Sequence, residues 1–174
     1  MLTIIISDDL SGAAGMASLI GPSIPVIPYN RIPDTGKMNS EIVSIDLETR
    51  NSDNPRPRLD MVKHTFPDAR ILARIDSLFR GSTLDFIAFS KEYGNIIVTD
   101  TIPEYGRYTF NGSSIDRTGS IDITKMLPDR LKPYVEIADS QSYGDIKKLA
   151  KKCVDENLLP VDPGMLIKYY LEMV

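Results

Sequence analysis

The chain has 174 residues, a length that suits one domain whose hydrophobic core needs no disulfide bonds. Its 20 lysine and arginine residues against 24 aspartate and glutamate residues give a formal net charge of -4, which supplies no basic surface for nucleic acid or an anionic membrane. The single cysteine, Cys153, cannot form an internal disulfide, so we expect a reducing, cytoplasmic setting. Asp8 and Asp9 interrupt the first apolar run too early for a signal peptide or a membrane span.

The first predicted element is a strand followed closely by a helix. Residues 2–6 are apolar and mostly β-branched, and residues 11–20 alternate small and apolar side chains at helical spacing until Gly21. This order is typical of a buried parallel strand that delivers acidic side chains, here Asp8 and Asp9, to its carboxyl end. Open α/β sheets bind their ligands at that edge.

Strands and helices then alternate along the rest of the chain. The predicted strands cover residues 24–28, 42–47, 70–76, 95–100, 134–139 and 160–162, and the helices cover residues 55–66, 82–93, 143–157 and 165–172. This alternation predicts an α/β fold, a three-layer sandwich with a mainly parallel sheet. Turn signals at Asn111-Gly112 and Thr118-Gly119 predict a small β-hairpin excursion around residues 108–123. No linker is evident, so we predict a single domain over residues 1–174.

Carboxylates terminate most of these strands. They are Asp8 with Asp9, Asp46, Asp76, Asp100 and Asp139. The carboxyl ends of parallel strands share one edge, so we expect the side chains to cluster there. Such a cluster can accept hydrogen bonds from a polyol, deprotonate a hydroxyl or hold a divalent cation. The alternative, and the commoner role of any one such aspartate, is to cap a helix or a loop.

Arginines accompany the acids. Arg50, Arg74 and Arg80 lie within a few residues of Asp46 or Asp76. The planar guanidinium suits a carboxylate or a phosphate, so an anionic ligand with hydroxyl groups would match this mixture. The alternative is that the arginines pair with the same acids and bind no ligand, and composition does not separate the two.

Two turns open predicted helices, whose N-termini attract anions: one contains Ser11 and Gly12, the other Arg80, Gly81 and Ser82. Neither turn fits the dinucleotide fingerprint or the P-loop.

Two other reactive side chains have ordinary interpretations. Cys153 lies on a predicted helix and is expected to be a small core residue rather than a reactive thiol. His64 is the only histidine. A general-base role is open to it, but nothing nearby in the sequence would orient its ring.

Four blocks of this sequence resemble the four-carbon acid sugar kinase family, once catalogued as a domain of unknown function. Residues 8–13, Asp-Asp-Leu-Ser-Gly-Ala, are similar to its D-D-[LF]-T-G-A, and residues 74–81, Arg-Ile-Asp-Ser-Leu-Phe-Arg-Gly, to its K-I-D-S-T-L-R-G. Two weaker blocks fall in the same order along the chain as in the family. Residues 46–50 are similar to its D-T-x-S-R, and residues 103–109, which include Arg107, are similar to its P-A-Q-G-R-T-T. This chain differs at Arg74, at Leu78-Phe79 and at Tyr105, so the resemblance leaves the identity of the acid sugar open.

The resemblance implies one half of a two-domain enzyme. In that family an N-terminal α/β domain binds the acid sugar, a C-terminal domain supplies most of the ATP site, and a phosphoryl group passes to a hydroxyl of an erythronate- or threonate-like acid. The resemblance covers the sugar-binding half, so we expect this chain to bind no cofactor alone. ATP and Mg²⁺ are implied for a complete enzyme, which would need a separate nucleotide-binding subunit.

The resemblance also implies roles for the matched residues. Asp8 or Asp9 would orient or deprotonate the acceptor hydroxyl, and Arg50 and Arg80 would clamp the substrate carboxylate. Further substrate contacts are implied for Asp46, Arg74, Asp76, Ser77, Gly81 and Arg107.

Two alternatives stay open for the whole chain: a binding or regulatory module for a small hydroxy acid without chemistry, and a truncated kinase. The kinase interpretation also predicts an exposed apolar face near residues 165–171, which a separate nucleotide-binding subunit or a second copy in a homodimer would cover. An ordinary packed final helix is the simpler interpretation of that last segment.

Overall fold

The computed structural model describes residues 1–32 and 39–174. These residues form two compact units, Met1–Phe89 and Ser90–Val174. Seven strands pair in parallel, four in the first unit and three in the second, and a separate antiparallel sheet has three strands. The α/β class with a mainly parallel sheet and a small antiparallel excursion is therefore confirmed.

The first unit is built around a central buried strand. Its strands are β1 (Thr3–Ser7), β2 (Val26–Pro28), β3 (Ile42–Asp46) and β4 (Arg70–Arg74), in the order β2-β3-β1-β4. Ile4 of β1 lies beside Val43 of β3 and Ile71 of β4, and β1 is buried along its whole length. Such continuous burial is typical of a parallel strand covered on both faces.

Three helices accompany these strands: α1 (Leu10–Ile20), α2 (Arg56–Thr65) and α3 (Thr83–Ser90). Helix α1 begins where the Asp9 side chain accepts a hydrogen bond from the backbone N–H of Gly12 at 2.7 Å. Helix α3 ends earlier than the predicted residue 93, because residues Lys91–Tyr93 tighten into a 3₁₀ turn.

The second unit contains both kinds of sheet. The parallel strands are β5 (Ile96–Val98), β9 (Val135–Ile137) and β10 (Leu159–Asp162), in the order β10-β5-β9, and the antiparallel strands are β6 (Tyr108–Phe110), β7 (Ser113–Asp116) and β8 (Gly119–Asp122). The predicted excursion has three strands rather than two, because each of the two turn signals joins its own pair of strands. Asn111-Gly112 lies between β6 and β7, and Thr118-Gly119 lies between β7 and β8.

Three helices complete the second unit: α4 (Ile123–Met126), α5 (Tyr143–Glu156) and α6 (Met165–Leu171). Helix α6 packs against α5 and buries Leu166, Ile167 and Tyr170, which favours the interpretation as a packed final helix. Cys153 of α5 is completely buried, and this burial raises the pKa of its thiol to about 12. Within residues 1–32 and 39–174, no helix combines the length and the apolar character that crossing a membrane requires.

Candidate ligand-binding site

The carboxyl ends of three neighbouring strands of the first unit bring four acids together. Asp8 and Asp9 follow β1, Asp46 ends β3 level with Ser7 of β1, and Asp76 lies two residues beyond β4. Asp8, Asp46 and Asp76 are all buried, whereas 29% of the Asp9 side chain is exposed. The predicted clustering of strand-end acids is thus found for these four residues.

Arg50 is the centre of this cluster. Its Nε donates to Asp8 Oδ2, and its Nη2 donates to Asp8 Oδ1 at 2.9 Å. The same Nη2 lies 3.1 Å from Asp9 Oδ2 and 3.2 Å from Asp76 Oδ1. These contacts raise the pKa of the Arg50 guanidinium, chiefly through the hydrogen bond to Asp8. One cation therefore links acids that follow two different strands.

The turn that carries Arg50 is fixed by the main chain of Asp8. The backbone N–H groups of Thr49 and Arg50 both donate to the carbonyl oxygen of Asp8, at 2.8 and 3.0 Å. Leu47 N–H donates to Ser7 O at 2.9 Å just before them. These hydrogen bonds fix the turn after β3 to the end of β1, so the Arg50 side chain starts close to the Asp8 carboxylate that it binds.

Asp76 organises the turn after β4. Its Oδ2 accepts the backbone N–H of Leu78 at 3.0 Å and of Arg80 at 3.2 Å, and both of its oxygens accept from the Arg80 side chain at 2.9 Å. Burial by itself would raise the pKa of Asp76, but the hydrogen bonds from Arg80 and Leu78 and the charge of Arg50 outweigh it and hold the pKa at about 2. Asp76 is therefore ionised at neutral pH, and Ser77 lies half-buried in the same turn.

Gly81 allows the two turns to touch. Its φ is +59°, and a Cβ at this position would lie 2.7 Å from the carbonyl oxygen of Arg50. Ser82, the next residue, is buried and donates to the carbonyl oxygen of Thr49 at 2.7 Å. A side chain at Gly81 would push the Arg50 turn away from the Asp76 turn. Glycine at this position, which matches the end of the K-I-D-S-T-L-R-G block, therefore has a steric reason in this chain.

Arg74 lies against the first turn of α1. Its Nη1 is 3.9 Å from Asp8 Oδ1, and a Cβ on Gly12 would meet its guanidinium, 2.9 Å from Cζ. Gly12 is buried and Ser11 is exposed in this turn. The absence of a side chain at Gly12 thus makes room for Arg74 beside Asp8, while the anion-binding role of Ser11 and Gly12 stays a prediction.

Asp46 has a different environment from the other acids. Its Oδ1 accepts the backbone N–H of Glu48 at 2.8 Å. Burial raises the pKa of Asp46, the Glu48 hydrogen bond offsets this only in part, and the negative charges of Glu48, Asp9 and Asp8 raise it further. Asp46 consequently keeps a proton more readily than an ordinary aspartate.

The remaining predicted residues belong to the second unit. Arg107 donates to Asp116 Oδ2 from Nη2 at 2.6 Å and lies 3.8 Å from Asp100 Oδ2. Hydrogen bonds from Thr118 and Arg107 hold the pKa of Asp116 well below its usual range. Asp100 is completely buried and accepts from Ser114, whereas Asp139 is exposed. The roles of Arg107, Asp100 and Asp139 toward a ligand stay predictions.

Some residues of the strand ends were not singled out from the sequence. Asp162 ends β10 like the other acids, but its carboxylate accepts the N–H groups of Leu166 and Ile167 and so caps α6. Arg58 donates to main-chain oxygens of the turn after β3. His64 lies exposed in the last turn of α2, with Nδ1 2.7 Å from the carbonyl oxygen of Asp60.

Among residues 1–32 and 39–89, three guanidinium groups and four carboxylates share one edge of the first unit, and the exposure of these side chains differs. Arg50, Arg74 and Arg80 are 20%, 18% and 59% exposed. Arg80 uses Nε and Nη2 on Asp76, and a guanidinium has five N–H donors, so the exposed part of Arg80 has donors for an anion. The edge therefore combines an accessible cation with carboxylates that accept hydrogen bonds from hydroxyl groups.

Comparisons with known proteins give matches in structure only. No protein-family model and no curated protein sequence matches this chain. A DUF1537 domain from Bordetella bronchiseptica, crystallised with bound citrate as a domain-swapped dimer, superposes with a TM-score of 0.73 at 16% identity over 98% of this chain and 55% of that one.

Two other structures are similarly related. The DUF1537 protein HI1011 of Haemophilus influenzae has a TM-score of 0.76 at 14% identity, over 96% of this chain and 55% of that chain. A Salmonella typhimurium LT2 protein, provisionally named a tRNA synthase, has a TM-score of 0.74 at 14% identity, over 97% and 55%. This chain spans about half the length of the structures it matches. In fold, it corresponds to one domain of the DUF1537 proteins.

Proposed function

We propose that this chain binds a small sugar acid at the carboxyl edge of β1, β3 and β4 and serves as the acceptor half of an ATP-dependent sugar-acid kinase. The observation that carries the proposal is the cluster around Arg50, in which Asp8, Asp9 and Asp76 meet one guanidinium and Arg80 extends toward solvent. An erythronate- or threonate-like acid has the complementary groups, because it combines one carboxylate with several hydroxyls.

The positions of the sequence blocks support this proposal. Three of the four blocks that resemble the four-carbon acid sugar kinases, residues 8–13, 46–50 and 74–81, supply every residue of the cluster. The Bordetella bronchiseptica domain of similar fold holds citrate, which is itself a hydroxy acid. Both observations favour a hydroxy-carboxylate as the ligand.

The exposure of the side chains suggests how such an acid would bind. Arg80 is the most accessible cation and would receive the carboxylate. Asp8 and Asp9 both contact protein groups through their two oxygens, but the Asp8 side chain is buried, whereas 29% of the Asp9 side chain is exposed. We therefore assign the contact with the acceptor hydroxyl to Asp9 and a supporting role to Asp8.

The nucleotide and its metal are assigned to a partner polypeptide or domain. The carboxylates of the cluster already hold arginines, and no group of three or more acid, histidine or cysteine side chains suited to a metal occurs in residues 1–32 and 39–174. The sequence also lacks a P-loop. We therefore assign to this chain the binding and orientation of the acceptor.

A direct binding titration tests the proposal. Erythronate, threonate and citrate are titrated against the chain by calorimetry, with the neutral polyol erythritol and with acetate as controls. A ligand at 100 times its dissociation constant should also stabilise the fold by about 2.7 kcal/mol. We expect at least one sugar acid to bind and erythritol not to bind. Failure of every acid to bind would refute the proposal.

A pair of arginine variants tests the location of the site. Arg80→Gln removes the accessible cation and should weaken binding about tenfold or more. Arg56→Gln is the matched control, because Arg56 is 49% exposed and forms its ion pair with Asp60 of the same helix. Equal losses in both variants would place the ligand elsewhere.

A second candidate is a binding module without phosphoryl transfer. The observation that favours it is that Asp8 and Asp76 already hold arginines in two-oxygen contacts, so the cluster is stable without a reaction partner. Mixing the chain with a candidate nucleotide-binding subunit, ATP and the bound acid separates the two candidates. ADP formation supports the kinase half, and binding without ADP formation supports the module.

A further inference from the structure

We propose that Arg58 is a positioning residue for this site and acts by bracing the turn that carries Arg50. This inference rests on the proposed function, because it concerns the affinity of the same site. Arg58 lies outside the sequence blocks that resemble the kinases, and its hydrogen bonds go to main-chain oxygens rather than to the acids of the cluster. Its influence on a ligand therefore has to pass through the main chain.

The Arg58 side chain is held between the turn and an aromatic ring. Its Nη1 donates to two consecutive carbonyl oxygens, those of Leu47 at 2.6 Å and Glu48 at 2.5 Å. Its guanidinium carbon lies 3.9 Å from the centre of the Tyr29 ring, which follows β2 in a 3₁₀ turn. Stacking of this kind fixes the plane of the guanidinium and so the direction of its N–H donors.

The braced turn has an unfavourable backbone conformation. Glu48 has a φ of +48°, a region that residues other than glycine occupy at a cost. The N–H groups that follow, of Thr49 and Arg50, donate to Asp8 O. The turn is thus held by Asp8 through its N–H groups and by Arg58 through its carbonyl groups. Ser7, Asp46 and Ser82 hold other groups of this turn, but Arg58 is the side chain that binds the carbonyl oxygens of Leu47 and Glu48, on either side of the strained φ of Glu48. Without Arg58 these two hydrogen bonds are lost, and the Arg50 side chain is less well positioned over its three acids.

A neighbouring arginine shows that this arrangement is not the ordinary behaviour of a helix-surface arginine. Arg56, two residues earlier in α2, makes an i,i+4 ion pair with Asp60 and is 49% exposed. Arg58 is half-buried and points its donors at main-chain oxygens of the site turn. Hydrogen bonds from a charged donor to main-chain oxygens are stronger than those between neutral groups, so the two hydrogen bonds from Arg58 can hold the main chain of the turn in place.

The test compares Arg58→Ala with Arg56→Ala and measures two quantities. Calorimetric titration with the tightest-binding sugar acid, well below the melting temperature, gives affinity and stoichiometry separately. We expect Arg58→Ala to raise the dissociation constant about tenfold with the stoichiometry unchanged, and Arg56→Ala to change neither. A purely structural defect would lower the stoichiometry instead, because fewer molecules would be competent to bind.

Rescue and exchange measurements sharpen the result. Methylguanidinium should restore part of the affinity of Arg58→Ala. Tyr29→Phe, which keeps the ring beside the Arg58 guanidinium, should bind like the wild type. Amide hydrogen exchange at Thr49 and Arg50 should become faster in Arg58→Ala without any ligand. Wild-type affinity and exchange in Arg58→Ala would overturn the inference. Failure of the wild type to bind any acid would instead refute the proposed function, while the exchange result would still decide whether Arg58 braces the turn.

Discussion

Asp76→Asn should destabilise the fold by about 2 kcal/mol at neutral pH. Burial raises the pKa of Asp76, but hydrogen bonds from Arg80 and Leu78 and the charge of Arg50 lower it more, from an ordinary 3.8 to about 2. At 1.36 kcal/mol per pH unit, this difference corresponds to about 2 kcal/mol. The figure is an upper estimate, because Arg80 is 59% exposed and water screens its share.

The sign of the pH dependence follows from the lowered pKa. A carboxylate whose pKa is lower in the folded state stabilises the fold above its ordinary pKa, here 3.8, and loses this stabilisation as the pH falls through about 2. The difference between wild type and Asp76→Asn should therefore be about 2 kcal/mol at pH 7 and about 1 kcal/mol at pH 3.

Urea unfolding followed by far-ultraviolet circular dichroism between pH 7 and pH 3 measures this difference. Asp60→Asn is the matched control, because a hydrogen bond from Arg56 lowers the pKa of Asp60 as well, but both side chains are on the surface. We expect Asp60→Asn to change the free energy of unfolding by less than about 1 kcal/mol. A difference for Asp76→Asn that is the same at pH 7 and pH 3 would refute the electrostatic reasoning.

Three further outcomes are expected. Gly81→Ala should cost about 2 kcal/mol and lower the melting temperature, because the left-handed φ of +59° is strained and the new Cβ would lie 2.7 Å from Arg50 O. Asp46→Asn should raise the stability in urea at pH 7, because the raised pKa of Asp46 means that its charged form is disfavoured in the fold; below the ordinary pKa of 3.8 the gain should vanish. Cys153 should stay unmodified by a thiol reagent at pH 8 in the folded protein and react in urea, because burial raises the pKa of its thiol to about 12.

The acids of the site were predictable from the sequence because their positions follow from one rule. A buried apolar run that ends in a carboxylate places this group at the carboxyl edge of a parallel sheet, as Asp8, Asp46 and Asp76 show. The rule does not give the order of the strands. Asp100 and Asp139 satisfy the same pattern but belong to the second unit, so their grouping with the other acids stays a prediction.

The contacts of the arginines were less accessible to sequence reasoning. The sequence left open whether Arg50 pairs with acids or binds a ligand, and the structure shows that Arg50 pairs with Asp8, Asp9 and Asp76. Arg80 pairs with Asp76 but is 59% exposed, so some of its N–H donors face solvent. The role of Arg58 had no sequence signal, because a hydrogen bond to main-chain oxygens depends on the conformation of the turn that presents them. Turn conformations with positive φ at a residue such as Glu48 are not encoded by a simple pattern.

On the proposed function, Leu78 is the departure from the kinase blocks in the first unit that should change the choice of acid. Arg74 lies against α1 beside Asp8 and is 18% exposed, and Phe79 is 6% exposed. Each of these two side chains therefore exposes little surface that a ligand could contact. Leu78 stands where the family has threonine and is 40% exposed, in the turn that Asp76 and Arg80 form.

An apolar side chain at this position accepts no hydrogen bond from a ligand hydroxyl and leaves that hydroxyl unsatisfied when it is buried. We therefore expect this chain to prefer acids with fewer hydroxyls than threonate, and Leu78→Thr to shift the preference toward threonate by about tenfold, which is about 1.4 kcal/mol. Competition titrations with threonate and a less hydroxylated acid, 2-hydroxybutyrate, measure the ratio of the two affinities. The matched control is Leu10→Thr, because Leu10 is also an exposed leucine, 58% exposed, and lies in the first turn of α1. A ratio unchanged by Leu78→Thr, or changed equally by Leu10→Thr, would show that this turn does not select the ligand.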